Sequence, residues 1–152
     1  MKTLITIDPG VSGGLAWIDP DGITHAEPMP EGMTAQVDRL RSLAAELPGA
    51  AAFMEKTGGY MPGNSGPAAA TFARHCGHLE ATLYTLGIPT EQIAPGVWQR
   101  ALGGFPKDKP ARKRAIRELM ARRFPALAVT LKTADALGIL TWAMEKRGHD
   151  HA

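Results

Sequence analysis

The chain has 152 residues, 44% apolar and 21% charged, with a formal charge of +2, which fits one soluble-type domain with a sizeable core. Its single cysteine, Cys76, excludes an intramolecular disulfide framework and any cysteine-rich zinc site, and no apolar run approaches the ~20 residues that cross a bilayer. The small net charge hides an uneven distribution: between Arg100 and Arg123 nine basic residues stand against two acidic ones, so that segment carries +7 and the remainder −5. A basic segment on a mildly acidic body fits either a polyanion held on one face or a solvated helix face.

The opening run Leu4-Ile5-Thr6-Ile7-Asp8 is apolar and β-branched and reads as a buried strand ending on a carboxylate. Pro9-Gly10-Val11-Ser12-Gly13 turns the chain into a second, antiparallel strand over about Gly14 to Asp19. Asp19-Pro20-Asp21-Gly22 is a hairpin signal, and Ile23 to Glu27 follows as a third strand. Thr34 is the expected N-cap of a helix through about Leu47, with Val37, Leu40, Leu43, Ala44 and Leu47 on its apolar face.

Ala50 to Glu55 reads as a fourth, buried strand that again ends on an acid. If it lies parallel to the first strand, Asp8 and Glu55 both occupy the carboxyl ends where α/β sheets place their sites. Thr57 to Gly66 is a loop rich in turn formers, with Tyr60 at its middle. That ring has two readings, a base-stacking platform or a surface tyrosine packed on the body.

Pro67 to Leu86 reads as a long helix with Phe72, Cys76, Leu79, Leu83 and Leu86 as its stripe, and its small residues also suit a dimer contact. His75 and His78 stand three apart, but no third ligand lies near in sequence to complete a zinc site. Thr90 to Ala94 is a short strand, and Pro95 opens a brief helix. A loop, Phe105 to Pro110, leads to a basic helix ending near Phe124. Its Ile116, Leu119, Met120 and Phe124 face inward, and Lys109, Lys113, Arg114 and Arg117 share the other side, suited to phosphates rather than bases. The last helix is expected over Lys132 to Lys146, burying Leu131, Ala134, Leu137, Gly138, Thr141 and Trp142. Asp135 in its first turn admits two readings, a dipole complement or an inward-facing ligand. Residues 1–147 form one expected domain, and 148–152 a frayed tail.

Strand meander, helix, strand, helix, strand and helices, with acids at Asp8, Glu55 and Asp135, resemble the RNase H-like nuclease fold and within it the RuvC-type Holliday junction resolvases. The carriers are Ile7-Asp8-Pro9-Gly10-Val11-Ser12-Gly13-Gly14-Leu15-Ala16, the Met54-Glu55 strand end, Gly87-Ile88-Pro89 leading to Pro95-Gly96-Val97-Trp98, the lysine-rich loop and helix, and Ala134-Asp135-Ala136-Leu137. The loop after Glu55, the Trp98 segment and Arg123-Phe124-Pro125 look closer to the phage and chloroplast branches. The implied fold is α/β: a central mixed five-stranded sheet, an antiparallel meander followed by parallel strands, flanked by helices.

The resemblance implies a Mg²⁺-dependent endodeoxyribonuclease that acts as a homodimer on a four-way DNA junction, nicking opposed strands to leave 5′-phosphates. Clustered carboxylates repel one another unless divalent cations join them. Two Mg²⁺ per site are expected, with Mn²⁺ as a substitute, on Asp8, Glu55 and Asp135. Lys132 departs from the pattern, standing three residues before Asp135 where relatives carry an acid or a histidine. It is expected on the same helix side, near the scissile phosphate or in place of one ion's charge. The DNA-facing set is Tyr60, Lys107, Lys109, Arg112, Lys113, Arg114 and Arg117, and the dimer contact is expected around Phe72–Leu83.

A cytoplasmic, bacterial or phage-encoded protein is the expectation, with Met1-Lys2 read as leading directly into the first strand. The rival functions are a broader branched-DNA nuclease acting on flaps, forks or packaging intermediates, a catalytically inactive junction-binding protein, and an actin-like nucleotide-binding domain.

Overall fold

The structure is a computed structural model, and it describes residues 3–57 and 65–150, without the side chains of the last two. Five strands, β1 (Leu4–Asp8), β2 (Gly14–Ile18), β3 (Thr24–Pro28), β4 (Ala51–Glu55) and β5 (Thr90–Ile93), make one mixed sheet in the order β3-β2-β1-β4-β5. The meander β1–β2–β3 is antiparallel, while β4 joins β1 in parallel and β5 joins β4 in parallel. The hairpin at Asp19–Gly22 is fixed by the Asp19 carboxylate, which accepts from the N–H groups of Asp21 and Ile23. This is the mixed five-stranded sheet that the resemblance implies, with the meander read from the strand pattern at one side.

The helices are α1 (Met33–Glu46), α2 (Gly66–Thr85), α3 (Pro95–Ala101), α4 (Lys109–Arg123) and α5 (Leu131–Asp150). They divide into two layers. One core packs Ile5, Ile7, Ala52 and Met54 of the sheet against Leu40, Leu43, Cys76, Leu79 and Leu83 of α1 and α2. The other packs Leu4, Ala16, Ile18 and Phe53 against Trp98, Ile116, Met120 and the Ala134–Ala143 stretch of α3, α4 and α5. Successive strand residues point to opposite faces, so Leu4, Thr6 and Asp8 of β1 turn toward α5. By the same alternation Ala51, Phe53 and Glu55 of β4 share that face. The parity of two strands thus sends both terminal acids to the α3–α5 side.

α5 lies across that face and is seated by close approaches. Thr6 Oγ1 donates to the Ala136 carbonyl at 2.7 Å, fixing β1 against the helix beside Asp135. A Cβ on Gly14 would stand 2.5 Å from the Lys132 carbonyl oxygen, so only glycine lets the start of α5 reach β2. A Cβ on Gly138 would stand 2.5 Å from Cζ3 of Trp98, which is fully buried beneath the helix.

Several sequence expectations shift. Gly32, at φ 85°, caps α1 without a side-chain bond, so Thr34 is not the cap but lies inside the helix. α5 starts one residue early, capped at Thr130 by the Thr133 hydroxyl, which accepts from the Thr130 N–H at 3.1 Å. That leaves Leu131 46% exposed rather than buried. The helix also continues to Asp150, past the Lys146 expected as its end and into the segment read as a frayed tail. Asp135 consequently sits beyond the first turn, out of reach of the helix N-terminal dipole.

Two helix-interior glycines give opposite expectations. Gly138→Ala lowers stability by about 1–3 kcal/mol, because overpacking against Trp98 outweighs the ~1 kcal/mol helix preference of alanine. Gly77→Ala, in open space on α2, gains about 0.5–1 kcal/mol. Urea unfolding of both variants checks the pair.

Candidate functional site

β1 and β4 run parallel with Ile7 opposite Met54, so Asp8 and Glu55 emerge side by side at their carboxyl ends. Asp135 comes down on them from α5. One carboxylate oxygen from each of the three lies within 4.8 Å of the others. Asp8 and Asp135 are only 7% and 6% exposed.

Two groups steady this cluster. Trp98 Nε1 donates to Glu55 Oε2 at 2.9 Å, and Lys113 Nζ donates to Asp135 Oδ2 at 2.9 Å from α4. The other oxygen, Asp135 Oδ1, is buried without a hydrogen-bond partner.

The electrostatics follow from crowding. Burial first, then the charges of Asp135 and Glu55, hold Asp8 well above the usual carboxylate range, and Lys113 opposes them. Burial pushes Glu55 up to about 7 despite the Trp98 hydrogen bond, with Asp135 adding to the rise and Lys113 and Arg112 opposing it. Burial acts to lower Lys113, yet the charge and hydrogen bond of Asp135, with Asp8 and Glu55 behind it, keep it above the ordinary lysine value. With its acids ionised, two of them buried and Glu55 partly so, the cluster is short of positive charge even with Lys113 and Arg112 nearby. Hard oxygen donors, that deficit and the orphaned Asp135 oxygen together fit a hard divalent cation.

No family model matches the chain, and no curated protein matches it in sequence. Among solved structures it is similar to T. thermophilus RuvC in complex with Holliday junction substrate, 16% identical with a TM-score of 0.59, over 91% of this chain and 90% of that one. It is also similar to Thermus thermophilus RuvC itself, 18% identical with a TM-score of 0.56, over 90% of each chain. The fold is that of RuvC. It is the RNase H-like α/β fold expected from the opening motif and the order of elements.

Within the RuvC-like fold the remaining predicted residues separate. Lys113 and Arg112 are half-buried at the edge of the acidic cluster, while Lys107, Lys109, Arg114 and Arg117 are exposed around α4. Lys132, expected beside Asp135, is exposed and forms no ion pair among the described residues. The cation that meets the acids is Lys113 of α4. Tyr60 lies outside the described residues. The stripe Phe72, Cys76, Leu79 and Leu83 of α2 packs into the core of its own chain, and the small residues of the same helix that suit a dimer contact, Ala70, Ala73, Gly77 and Ala81, are exposed.

The anchoring roles of Trp98 and Lys113 were not readable from the sequence. An indole donor just beyond a strand and a lysine within the apolar periodicity of α4 are the only local traces they leave.

For the metal-free protein, a Glu55 carboxyl at about 7 when folded and 4.5 when unfolded stabilises the fold below pH 4.5. That contribution, about 3 kcal/mol, fades as pH rises through 7. Thermal unfolding in EDTA therefore shows a melting temperature that falls from pH 5 to pH 8. Glu55→Gln flattens the fall, and Mg²⁺ at pH 8 reverses it by binding the folded state.

Proposed function

We propose that this chain is a Mg²⁺-dependent endodeoxyribonuclease that resolves four-way DNA junctions, leaving 5′-phosphate ends. The observation that supports this reading most directly is the convergence of three carboxylates, two buried and one partly buried, one of them with an unpartnered oxygen, beside a basic helix. One of the similar RuvC structures is in complex with Holliday junction substrate, which adds that substrate class to the reading.

In this reading Asp8, Glu55 and Asp135 hold up to two Mg²⁺ ions, with Mn²⁺ able to replace them. The bound cations would supply charge neutralisation of the scissile phosphate and activation of a hydrolytic water. The chain's own residues arrange the rest. Trp98 holds Glu55 to one orientation through its indole N–H. Lys113 keeps Asp135 turned toward the cluster and puts a positive charge where the phosphate arrives.

Lys107, Lys109, Arg112, Arg114 and Arg117 contact the DNA backbone, which carries no base information and suits recognition of branch shape. Lys132, at the start of α5 where it nears β2, contacts a phosphate flanking the scissile one. Tyr60 stacks on an unpaired base at the junction.

Cleaving opposed strands requires two sites, and a homodimer supplies them. With Cys76, Leu79 and Leu83 used internally, the partner meets the other face of α2. There Ala70, Ala73, Gly77, Ala81 and Tyr84 are exposed in a row at a spacing that suits a helix pair. Residues 1–147 act as one nuclease domain. Among the described residues no helix is long and apolar enough to cross a membrane, and a cytoplasmic site of action beside chromosomal or phage DNA suits the reading.

The deciding experiment incubates the protein with an end-labelled immobile junction in Mg²⁺, beside fork, flap and linear duplex controls. Paired symmetric nicks in the junction, with ligatable 5′-phosphates, are expected. Equal cutting of forks and flaps moves the assignment to a general branched-DNA nuclease, and binding without nicks moves it to an inactive junction binder. Asp8→Asn lowers the rate by at least about 100-fold while junction binding in EDTA stays near the wild-type value.

The basic face has its own signature. Junction affinity falls linearly with the logarithm of salt concentration, and Lys109→Ala or Arg117→Ala each reduces that slope by about one unit. Binding isotherms at several salt concentrations measure it.

A further inference from the structure

The segments that leave the first two acids are both gripped by one turn of α2. On one side, His75 Nε2 accepts the Gly10 N–H at 2.9 Å, and a Cβ on Gly10 would lie 3.5 Å from Cε2 of Phe72. On the other, Cys76 Sγ lies 3.6 Å from Thr57 Oγ1. Gly10 stands two residues beyond Asp8, and Thr57 two residues beyond Glu55.

The turn itself is closed by Gly13 N–H donating to the Gly10 carbonyl at 3.0 Å and braced by Met29 N–H on the Gly13 carbonyl at 3.0 Å. Gly10, at φ 116°, therefore has its carbonyl satisfied by the turn. Its N–H is aimed outward at α2, where the histidine ring meets it.

We propose that His75 is a positioning residue for the metal centre: as a hydrogen-bond acceptor it pins the turn after Asp8, and so fixes where the Asp8 carboxylate stands relative to Glu55 and Asp135. The proposal rests on the metal-centre reading above. Accepting at Nε2 requires the neutral ring with its proton on Nδ1. Burial, then the neighbouring His78, hold the His75 ring below its ordinary pKa, which preserves that form. His78, edge-on to it on the same helix, is the ionisable group that acts on it. The turn presents Gly10, the segment after Glu55 presents Thr57, and α1 presents the neutral Gln36, whose Oε1 accepts a hydrogen bond from His78 Nε2 at 2.6 Å.

The ring thus serves as the outer support of a ligand, a class of residue whose loss weakens metal binding without removing a ligand. A purely structural histidine predicts something else: loss of stability with the affinity of the folded protein unchanged.

The test measures Mn²⁺ binding by titration calorimetry on wild-type, His75→Ala and His75→Gln full-length protein, with the Gly10 amide followed by ¹⁵N NMR. His75→Ala is expected to bind Mn²⁺ about 10-fold more weakly. His75→Gln, whose side-chain oxygen still accepts, is expected to return close to the wild-type affinity. The Gly10 amide shifts in His75→Ala and, in the wild type, titrates together with the His75 ring. A folded His75→Ala protein with wild-type Mn²⁺ affinity overturns the proposal. A Gly10 amide indifferent to the ring does so as well. Absence of Mn²⁺ binding by the wild type overturns the metal centre itself, an outcome distinct from either.

Discussion

Three carboxylates, two buried and one partly buried, brought together with one paired ammonium among the described residues are the constraint from which the rest of this molecule can be understood. Each acid is held where water cannot solvate it fully, and burial together with mutual repulsion raises Asp8 and Glu55. Left to itself such a cluster opposes folding, since burying unpaired charge costs more than a lone hydrogen bond returns. The chain spends backbone precision on it nonetheless. Asp135 keeps one oxygen bonded to Lys113 and the other without a partner, and Glu55 is oriented by an indole rather than by a neutralising cation. An arrangement that is destabilising in isolation and ordered in detail is the pattern expected of a site awaiting a ligand.

The convergence comes from sheet geometry and from one helix. Parallel pairing of β1 and β4 aligns their ends, and the two-residue alternation sends both terminal acids to the same face. What remains is to bring α5 close enough for a side chain as short as aspartate to reach them. Gly14 removes the Cβ that would hold the start of α5 away from β2, and Gly138 makes room for the Trp98 ring. Thr6 then binds the Ala136 carbonyl from below. Trp98 fills the space under α5 and at the same time donates to Glu55, so core packing and site geometry are set by one side chain.

Much of this was readable from residue order, and the reasons are local. Asp8 and Glu55 each terminate an apolar run before turn-forming residues, a pattern that needs no tertiary information. Asp135 stood out as an acid among small residues. Its two readings separate once Thr130 is seen to cap α5, because that places the acid past the first turn. The periodicity of α4 identified Ile116 and Met120 as inward. Lys113 lies between their direction and that of Arg117, and only the packing of α4 on α5 decides that it turns to an acid instead of to solvent. Lys132 is the opposite case: three residues before Asp135 suggests a shared side, yet at the start of the helix it is exposed and forms no ion pair among the described residues. Thr34 looked like a cap by composition, but a glycine at positive φ already made the turn. His75 resembled half of a zinc site, and its backbone partner 65 positions away has no trace in spacing.

The charge layout resolves an apparent conflict. In the proposed reading, a pocket of three acids repels the phosphodiester backbone of its substrate, so attraction has to come from beside the pocket. The chain concentrates its surplus in the segment Arg100–Arg123, at +7 against −5 elsewhere, and folds that segment mainly into α4, packed along α5 at the edge of the acids. At the ionic strength of a cell, fields fade over about 8 Å, so a basic helix steers a polyanion to this pocket only by adjoining it. Lys113 is where the two regions meet: its ammonium belongs to the basic helix and its hydrogen bond to Asp135. In the proposed reading, a polyanion drawn along α4 arrives at the acids beside the lysine already bonded to Asp135.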